Sequence, residues 1–328
     1  MRINKGDYVP DGFPAFSAKG QDGFVAVWEY DRPAVVLSAI GARCGKCFLA
    51  TGRWTSLANT HLIFPDVTVA NPKFLWYQLN DESSWIRSGS AQPFIKPSDI
   101  KTRKVKLPPL SEQERIVGIL DEAEGLRQRR AEADRRTAEL LPALFHHLFG
   151  DPATNPKGWR TEPLGNFCSP KQWPTISMKE LTESGYPVYG ANGKIGFYRE
   201  YNHEDATVLV TCRGATCGTI NVCEPKSYVT GNAMALDDPD PTRVTVEYLE
   251  HALKARGLRD TISGSAQPQI IRATLSKVQI PLPPLSLQRE FAERVGEVRE
   301  LERRQAESRR RLDALFAALL ARAFSGDL

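Results

Sequence analysis

Four stretches of this 328-residue chain place chemically capable side chains close together. Ile40-Gly41-Ala42-Arg43-Cys44-Gly45-Lys46-Cys47 glances at a phosphate loop, where glycine amides cradle an oxyanion while a lysine and a hydroxyl serve the outer phosphate and its magnesium. The glycine spacing is one residue short, and Cys47 stands where the hydroxyl is required, so no nucleotide is expected on this chain. Cys44-x-x-Cys47 supplies half of a thiolate zinc site, but Cys212, Cys217 and Cys223 are spaced by four and five intervening residues with no His pair nearby. Asn71-Pro72-Lys73-Phe74 imperfectly matches the catalytic tetrapeptide of adenine methyltransferases; without a glycine-rich loop to hold S-adenosylmethionine, it reads as a solvent-exposed turn. Asp205 with Glu224-Pro225-Lys226 has the loose acid-acid-lysine spacing of a metal-dependent nuclease, with no counterpart in the first half of the chain.

Composition bounds the remaining choices. The length suits two domains, and the net charge of +4 with a pI near 8.7 is compatible with a polyanionic partner without demanding one. There is no apolar run of eighteen residues and no basic-then-apolar leader, so a cytoplasmic protein without a membrane partner is expected, its six cysteines reduced.

The elements that must position these residues alternate between two textures. Residues 1–106 and 159–280 are rich in Gly, Pro and aromatic residues, with short apolar runs typical of strands between loops. After Pro108-Pro109, Ser111-Glu112-Gln113-Glu114 reads as a capping box opening a long helix, and Ser286 caps a second. On one heptad track the first helix carries Ile116, Leu120, Ala123, Leu141, Leu144 and Leu148, with Arg127, Arg130, Asp134 and Thr137 at its middle. The second repeats the scheme with Phe291, Val295, Val298, Leu312, Phe316 and Leu319 around Glu302, Gln305 and Arg309. Pro142 should break the first helix near Leu141. The arginine clusters 127–130 and 309–311 alternate with acids, favouring ion pairing over phosphate contact.

These textures repeat. Gly89-Ser90-Ala91-Gln92-Pro93 recurs as Gly264-Ser265-Ala266-Gln267-Pro268, and Leu107-Pro108-Pro109-Leu110-Ser111 recurs as Leu282-Pro283-Pro284-Leu285-Ser286, both at an offset of 175 residues. A weaker match at offset 173 joins 14–20 to 187–193 and 41–45 to 214–218. The order is A-B-A-B: an N-terminal globular half (1–106), a helical spacer (107–150), a second half (151–281) and a distal spacer (282–328). The expected fold is mixed α/β, with two repeated globular domains and two long antiparallel coiled-coil helices.

Taken together, the two Pro-Pro-Leu-Ser-x-Gln helix starts, the two Gly-Ser-Ala-Gln-Pro loops and the run Pro187-Val-Tyr-Gly-Ala-Asn-Gly-Lys-Ile-Gly-Phe-Tyr198 make the chain resemble the specificity subunits of type I restriction-modification systems, over nearly its whole length. The resemblance implies a non-catalytic subunit whose two target-recognition domains read a split site in double-stranded DNA. Helices 111–149 and 286–324 would dock two methyltransferase subunits. S-adenosylmethionine, and with a restriction subunit ATP and magnesium, would belong to those partners, and this chain would bind no cofactor and no metal. A protein-binding helical scaffold and the nuclease are the competing classes.

If the halves read different sequences, shared positions should support fold or backbone contact and base readers should lie where matched loops differ. Ser90, Gln92, Ser265 and Gln267 are then scaffold or DNA-backbone candidates, with Gly41/Gly214, Gly45/Gly218 and Asn59/Asn232. Arg43, Lys46, Arg53 and His61 in the first half, and Lys194, Arg199, Arg213, Thr216 and Gln269 in the second, are base-reading candidates: Arg and Lys suit guanine, Gln adenine, and Thr a thymine methyl. Two departures stand out. The segment Trp159–Gly185 is matched in the first half by only thirteen residues before Pro14, and Leu287 and Arg289 replace Glu112 and Glu114, which should weaken the second helix start by about 0.5–1 kcal/mol.

Overall fold

The structure, a computed structural model, describes residues 5–264 and 267–328. It divides into two compact units, Met1–Ala131 with Ser308–Leu328, and Glu132–Glu307.

In the first unit, β-branched and apolar residues of Ala34–Ser38, all buried, form the middle of a three-stranded antiparallel sheet between Cys47–Ala50 and Thr60–Ile63. A second sheet runs in the order Tyr8–Val9, Gly20–Val25, Phe13–Ser17, Arg53–Ser56, Tyr30–Asp31. Helix α1 (Pro72–Leu79) packs on the first sheet, and the short helix α2 (Pro97–Lys101) follows. Trp54 is fully buried between Phe16 and Tyr30, and its indole N–H donates to Arg32 O at 2.9 Å.

The second unit repeats this design at an offset of 173. Val208–Thr211 pairs with Ile220–Val222 and Ala233–Asp237, and Tyr186–Gly190 pairs antiparallel with Gly193–Tyr198 and parallel with Tyr228–Val229. Ala15 pairs with Thr55 as Val188 pairs with Tyr228, and each hairpin carries a β-bulge just after that residue. Two features belong to the second unit alone among the described residues. Ser169–Gln172 adds a fourth strand beside Ala233–Asp237, and Thr161–Pro163 pairs with Gln279–Pro281.

The two long helices are α3 (Leu110–Phe149) and α6 (Leu285–Ser325); α4 (Val246–Arg256) and α5 (Arg272–Leu275) precede α6. Forty residues at 1.5 Å each make α3 about 60 Å long. Within the first unit, Ile116 and Leu120 of α3 share a core with Phe316, Ala323 and Phe324 of α6 and Phe74 and Tyr77 of α1. Arg127 Nε donates to Asp313 at 2.8 Å. Within the second unit, Phe145 and Phe149 of α3 pack against Phe291 of α6 and Tyr248 of α4, while buried Gln305 donates to Thr137 Oγ1 at 2.9 Å. Of the two arginine clusters, Arg127 pairs with Glu124 and Asp313; outside them, Glu132 serves Arg135 and Arg136, and Arg303 with Arg304 hold the Glu300 carboxyl down at about 2.

Three local expectations are corrected. Pro142 does not break α3, which runs through it to Phe149. One hydrogen bond is forfeited at the Ala138 carbonyl, and burial of Phe145 and Phe149 three and seven residues later offsets the cost. Ser111 and Ser286 are not caps. The first helical bonds run from Glu112 and Gln113 to Pro109 O and from Leu287 and Gln288 to Pro284 O, so each serine lies inside the first turn. Glu112 instead pairs with Arg115, so there is no capping box for the second helix to lack. Finally, Asn71-Pro72-Lys73-Phe74 is a helix start rather than an exposed turn: Asn71 Oδ1 accepts from Lys73 N at 2.9 Å and Phe74 N at 3.1 Å, and Phe74 is buried.

Candidate nucleic-acid interface

Three loops meet at one end of each unit. In the second unit they are the hairpin turn Ala191-Asn192, the loop 212–219 after the central strand, and the hairpin closed by the Ser263–Gln269 bridge. Gly214 N donates to Pro268 O at 3.1 Å, Ile270 N to Cys212 O at 3.0 Å, Thr216 Oγ1 to Asn192 Oδ1 at 2.7 Å, and Thr211 Oγ1 to Ala191 O. The first unit is built the same way: Gly41 N donates to Pro93 O at 2.9 Å, Ile95 N to Ala39 O at 3.0 Å, and Arg43 Nη1 to Lys19 O at 2.6 Å. Arg43 and Thr216 are equivalent by the 173 offset, and both reach the equivalent turn, at Lys19 and Asn192. The two repeat offsets thus converge, since the Gly-Ser-Ala-Gln-Pro hairpin is laid against the Gly-Ala-x-Cys-Gly loop in both units.

Glycine is required here. Gly89 and Gly264 have φ of 84° and 85°, and a Cβ would lie 2.7 Å from Gln92 O or 2.6 Å from Gln267 O. The scaffold is therefore backbone, and the exposed tips are free to differ between units.

This arrangement brings together Arg43, Ser90 and Gln92 in the first unit, and Arg213, Thr216, Gln267 and Gln269 in the second, all exposed. Lys194 follows the Ala191-Asn192 turn and pairs with Glu224 at 3.3 Å. Ser265 lies outside the described residues. The side chains of the other candidates are engaged differently, although Lys46 closes the central loop of the first unit and His61 lies at the base of its hairpin. Lys46 lines a cavity of about 660 Å³ with Trp76, Tyr77 and Phe316. Arg53 pairs with Asp31 at 3.1 Å and lies over the Trp28 ring, the His61 ring meets Ile95 O at 3.2 Å, and Arg199 is beside Glu200 at 3.5 Å. Sequence reasoning passed over Lys19, Asn192 and the exposed Phe94, which occupies the place of Gln269; aligning the turns at both offsets would have found them.

The other constellations have different surroundings. Cys44 and Cys47 are buried thiols donating to Ala39 O and Leu79 O, and burial pushes Cys47 up to about 12. Glu224 accepts from Tyr189 and Lys194, whereas Lys226 pairs with Glu204. All six cysteines are free, and no cluster of three or more His, Cys, Asp or Glu suited to a metal exists among the described residues. Among the described residues no helix is long and apolar enough to cross a membrane.

The family model for the type I restriction modification DNA specificity domain matches residues 18–132 and 156–307, one match over most of each duplicated half. The chain belongs to that family. The type I restriction enzyme EcoprrI specificity subunit of Escherichia coli is 25% identical over 66% of this chain, which spans only 58% of that protein's length. The putative type I specificity subunit S.MpnORF89P of Mycoplasma pneumoniae is 25% identical over 82% of this chain and 85% of its own. Among solved structures, the type I restriction-modification S subunit from M. genitalium aligns with a TM-score of 0.68 at 21% identity, covering 99% of this chain and 92% of that one, so the fold is shared.

Proposed function

We propose that this chain is the DNA sequence-specificity subunit of a type I restriction-modification complex, each unit reading one half of a split site in double-stranded DNA. The observation that carries this is the three-loop cluster, built twice on the same backbone hydrogen bonds around an identical Gly-Ser-Ala-Gln-Pro hairpin, with different side chains at equivalent positions: Lys19 and Asn192, Arg43 and Thr216, Phe94 and Gln269. A repeated scaffold with divergent tips is what two half-sites of different sequence require. The recognition domains are 1–106 and 151–281. The spacers 107–150 and 282–328 pair as an antiparallel coiled coil, a reading supported by the contacts of Arg127 with Asp313 and of Thr137 with Gln305, where numbers rise along α3 as they fall along α6.

In this reading α3 and α6 dock two methyltransferase subunits, and a restriction subunit joins where the system has one. The chain is non-catalytic and cytoplasmic. S-adenosylmethionine, ATP and magnesium are held by the partners. Co-expression with a methyltransferase subunit that assembles with the chain, followed by genome-wide mapping of methylated adenines, tests the proposal. A split motif with a fixed gap is expected; no methylation from a soluble, assembled complex would overturn it.

A further inference from the structure

In each unit a row of three residues crosses the loop cluster. Gly214 N donates to Pro268 O and Ile270 N to Cys212 O, so Arg213 and Gln269 face one another between those two bonds, while Ser263 and Gln269 exchange both of theirs. In the first unit the bonds from Gly41 N to Pro93 O and from Ile95 N to Ala39 O bracket Ile40 and Phe94 in the same way, and Ser88 and Phe94 exchange both bonds. Residues directly opposite across antiparallel strands project to one face, and a pair lying between the hydrogen bonds has its Cα atoms about 4.5 Å apart. Alternation along the strand fixes which face that is. Ala39, Ile95, Cys212 and Ile270 are buried, so their neighbours Ile40, Phe94, Arg213 and Gln269 point outward, and all four are exposed.

The serine is common to both rows and the other two positions are not. The second unit presents a guanidinium beside a carboxamide, neither with a side-chain partner among the described residues. The first presents two apolar side chains, each 36% exposed, and the Phe94 ring lies so close over Gly89 that a Cβ there would come within 3.3 Å of two ring carbons. The ring is held against its hairpin before any ligand arrives. Adjacent apolar side chains facing water mark a contact surface. On a duplex, the base-edge group that an apolar side chain selects is the C5 methyl of thymine in the major groove, whereas Arg suits guanine O6 and N7 and Gln suits adenine N6 and N7. A separation of about 4.5 Å against about 3.4 Å between stacked base pairs lets one such pair of residues address one base-pair step. Resting on the reading that each unit addresses one half-site, we propose that Ile40 and Phe94 select a thymine through its C5 methyl at the step where Arg213 and Gln269 of the second unit select a guanine and a neighbouring adenine. One scaffold position thereby reads opposite chemistries in the two half-sites, and residues 40 and 94 set the first of them.

The test uses the chain assembled with a methyltransferase subunit and synthetic duplexes carrying its methylated split motif, with binding followed by fluorescence anisotropy. The half-site that Arg213→Ala relaxes belongs to the second unit, and the other to the first. In the first unit's half-site, uracil in place of each thymine in turn removes only the methyl and should weaken binding about 4-fold at one position. At that position 5-bromouracil, whose halogen is close to a methyl in size, should restore it. Ile40→Ala with Phe94→Ala should erase the uracil penalty while leaving the penalty for 7-deazaguanine in the other half-site, expected at about 5-fold or more. Arg213→Ala should do the reverse. A first half-site without thymine on either strand, uracil tolerated at every position, a uracil penalty undiminished in the double variant, or no relaxation by Arg213→Ala would each overturn the proposal while leaving the split motif standing. Absence of a split motif would overturn the site-reading proposal and this one with it.

Discussion

Asn71 N–H donates to Gln113 Oε1 at 2.8 Å, joining the cap residue of α1 to the first turn of α3 across 42 positions of sequence. The same side chain donates from Nε2 to Val69 O and Pro108 O, each at 2.8 Å, and is fully buried. Gln288 makes the equivalent three bonds, to Thr245 N, Arg243 O and Pro283 O. A buried glutamine with every partner in place locks the start of a long helix to the globular fold beside it.

Gln113→Ala strands one buried amide N–H and weakens two carbonyl contacts, so it should destabilise the first unit by about 2–3 kcal/mol. Gln288→Ala should do the same in the second. Urea unfolding checks both; exposed Gln128→Ala should change stability by less than about 0.5 kcal/mol.

The buried Thr137–Gln305 pair offers a double-mutant cycle. Thr137→Val alone leaves the Gln305 amide without this partner and should cost about 1–2 kcal/mol, whereas Thr137→Val with Gln305→Leu should come close to neutral. A coupling energy near zero would remove the pair as a determinant of helix register.

At the loop cluster, Arg213→Ala and Thr216→Val should alter the bases methylated at one half-site and leave the other half-site intact, while Arg43→Ala should act on the opposite half. Losing one base-specific contact changes discrimination by about 1–3 kcal/mol, enough to relax a motif position from one base to several. Methylome sequencing of cells expressing each assembled variant complex reads this directly. Loss of assembly would assign these residues to structure.

Stability of the second unit should fall on acidification. Burial against Phe145 and Phe291 holds His251 below the usual histidine value of 6.5, and its Nδ1–H donates to Glu247 O at 2.8 Å. A depressed folded value means that the neutral ring's contribution is fully present above about pH 6.5 and is lost as pH falls through the folded value. His251→Gln should flatten the decline in urea midpoint between about pH 7 and pH 5 relative to wild type. An unchanged slope would assign the acid sensitivity to other groups.

Much of the architecture was legible because duplication writes the same local rules twice. The helix starts after Pro109 and Pro284, the strand texture and the two Gly-rich loops are short-range patterns, and seeing each in two copies separates scaffold from decoration. The candidate readers were legible less evenly. Arg43, Arg213, Thr216 and Gln269 fall at the loop cluster because they lie within or beside the repeated glycines. Arg53 and His61 were chosen by residue type, and the ion pair with Asp31 and the Ile95 carbonyl that occupy them are 22 and 34 residues distant in sequence.

Sequence by itself determined the A-B-A-B order, the two long helices with apolar ends and polar middles, and the family resemblance, since each depends on residue types at fixed local spacing. Tertiary structure decided the rest. Whether Pro142 breaks a helix depended on the burial of Phe145 and Phe149, and whether Ser111 caps one depended on the Pro109 carbonyl. Lys19 was brought beside Arg43 by a hairpin. These outcomes turn on groups far apart along the chain, whose meeting is set by packing rather than by propensity.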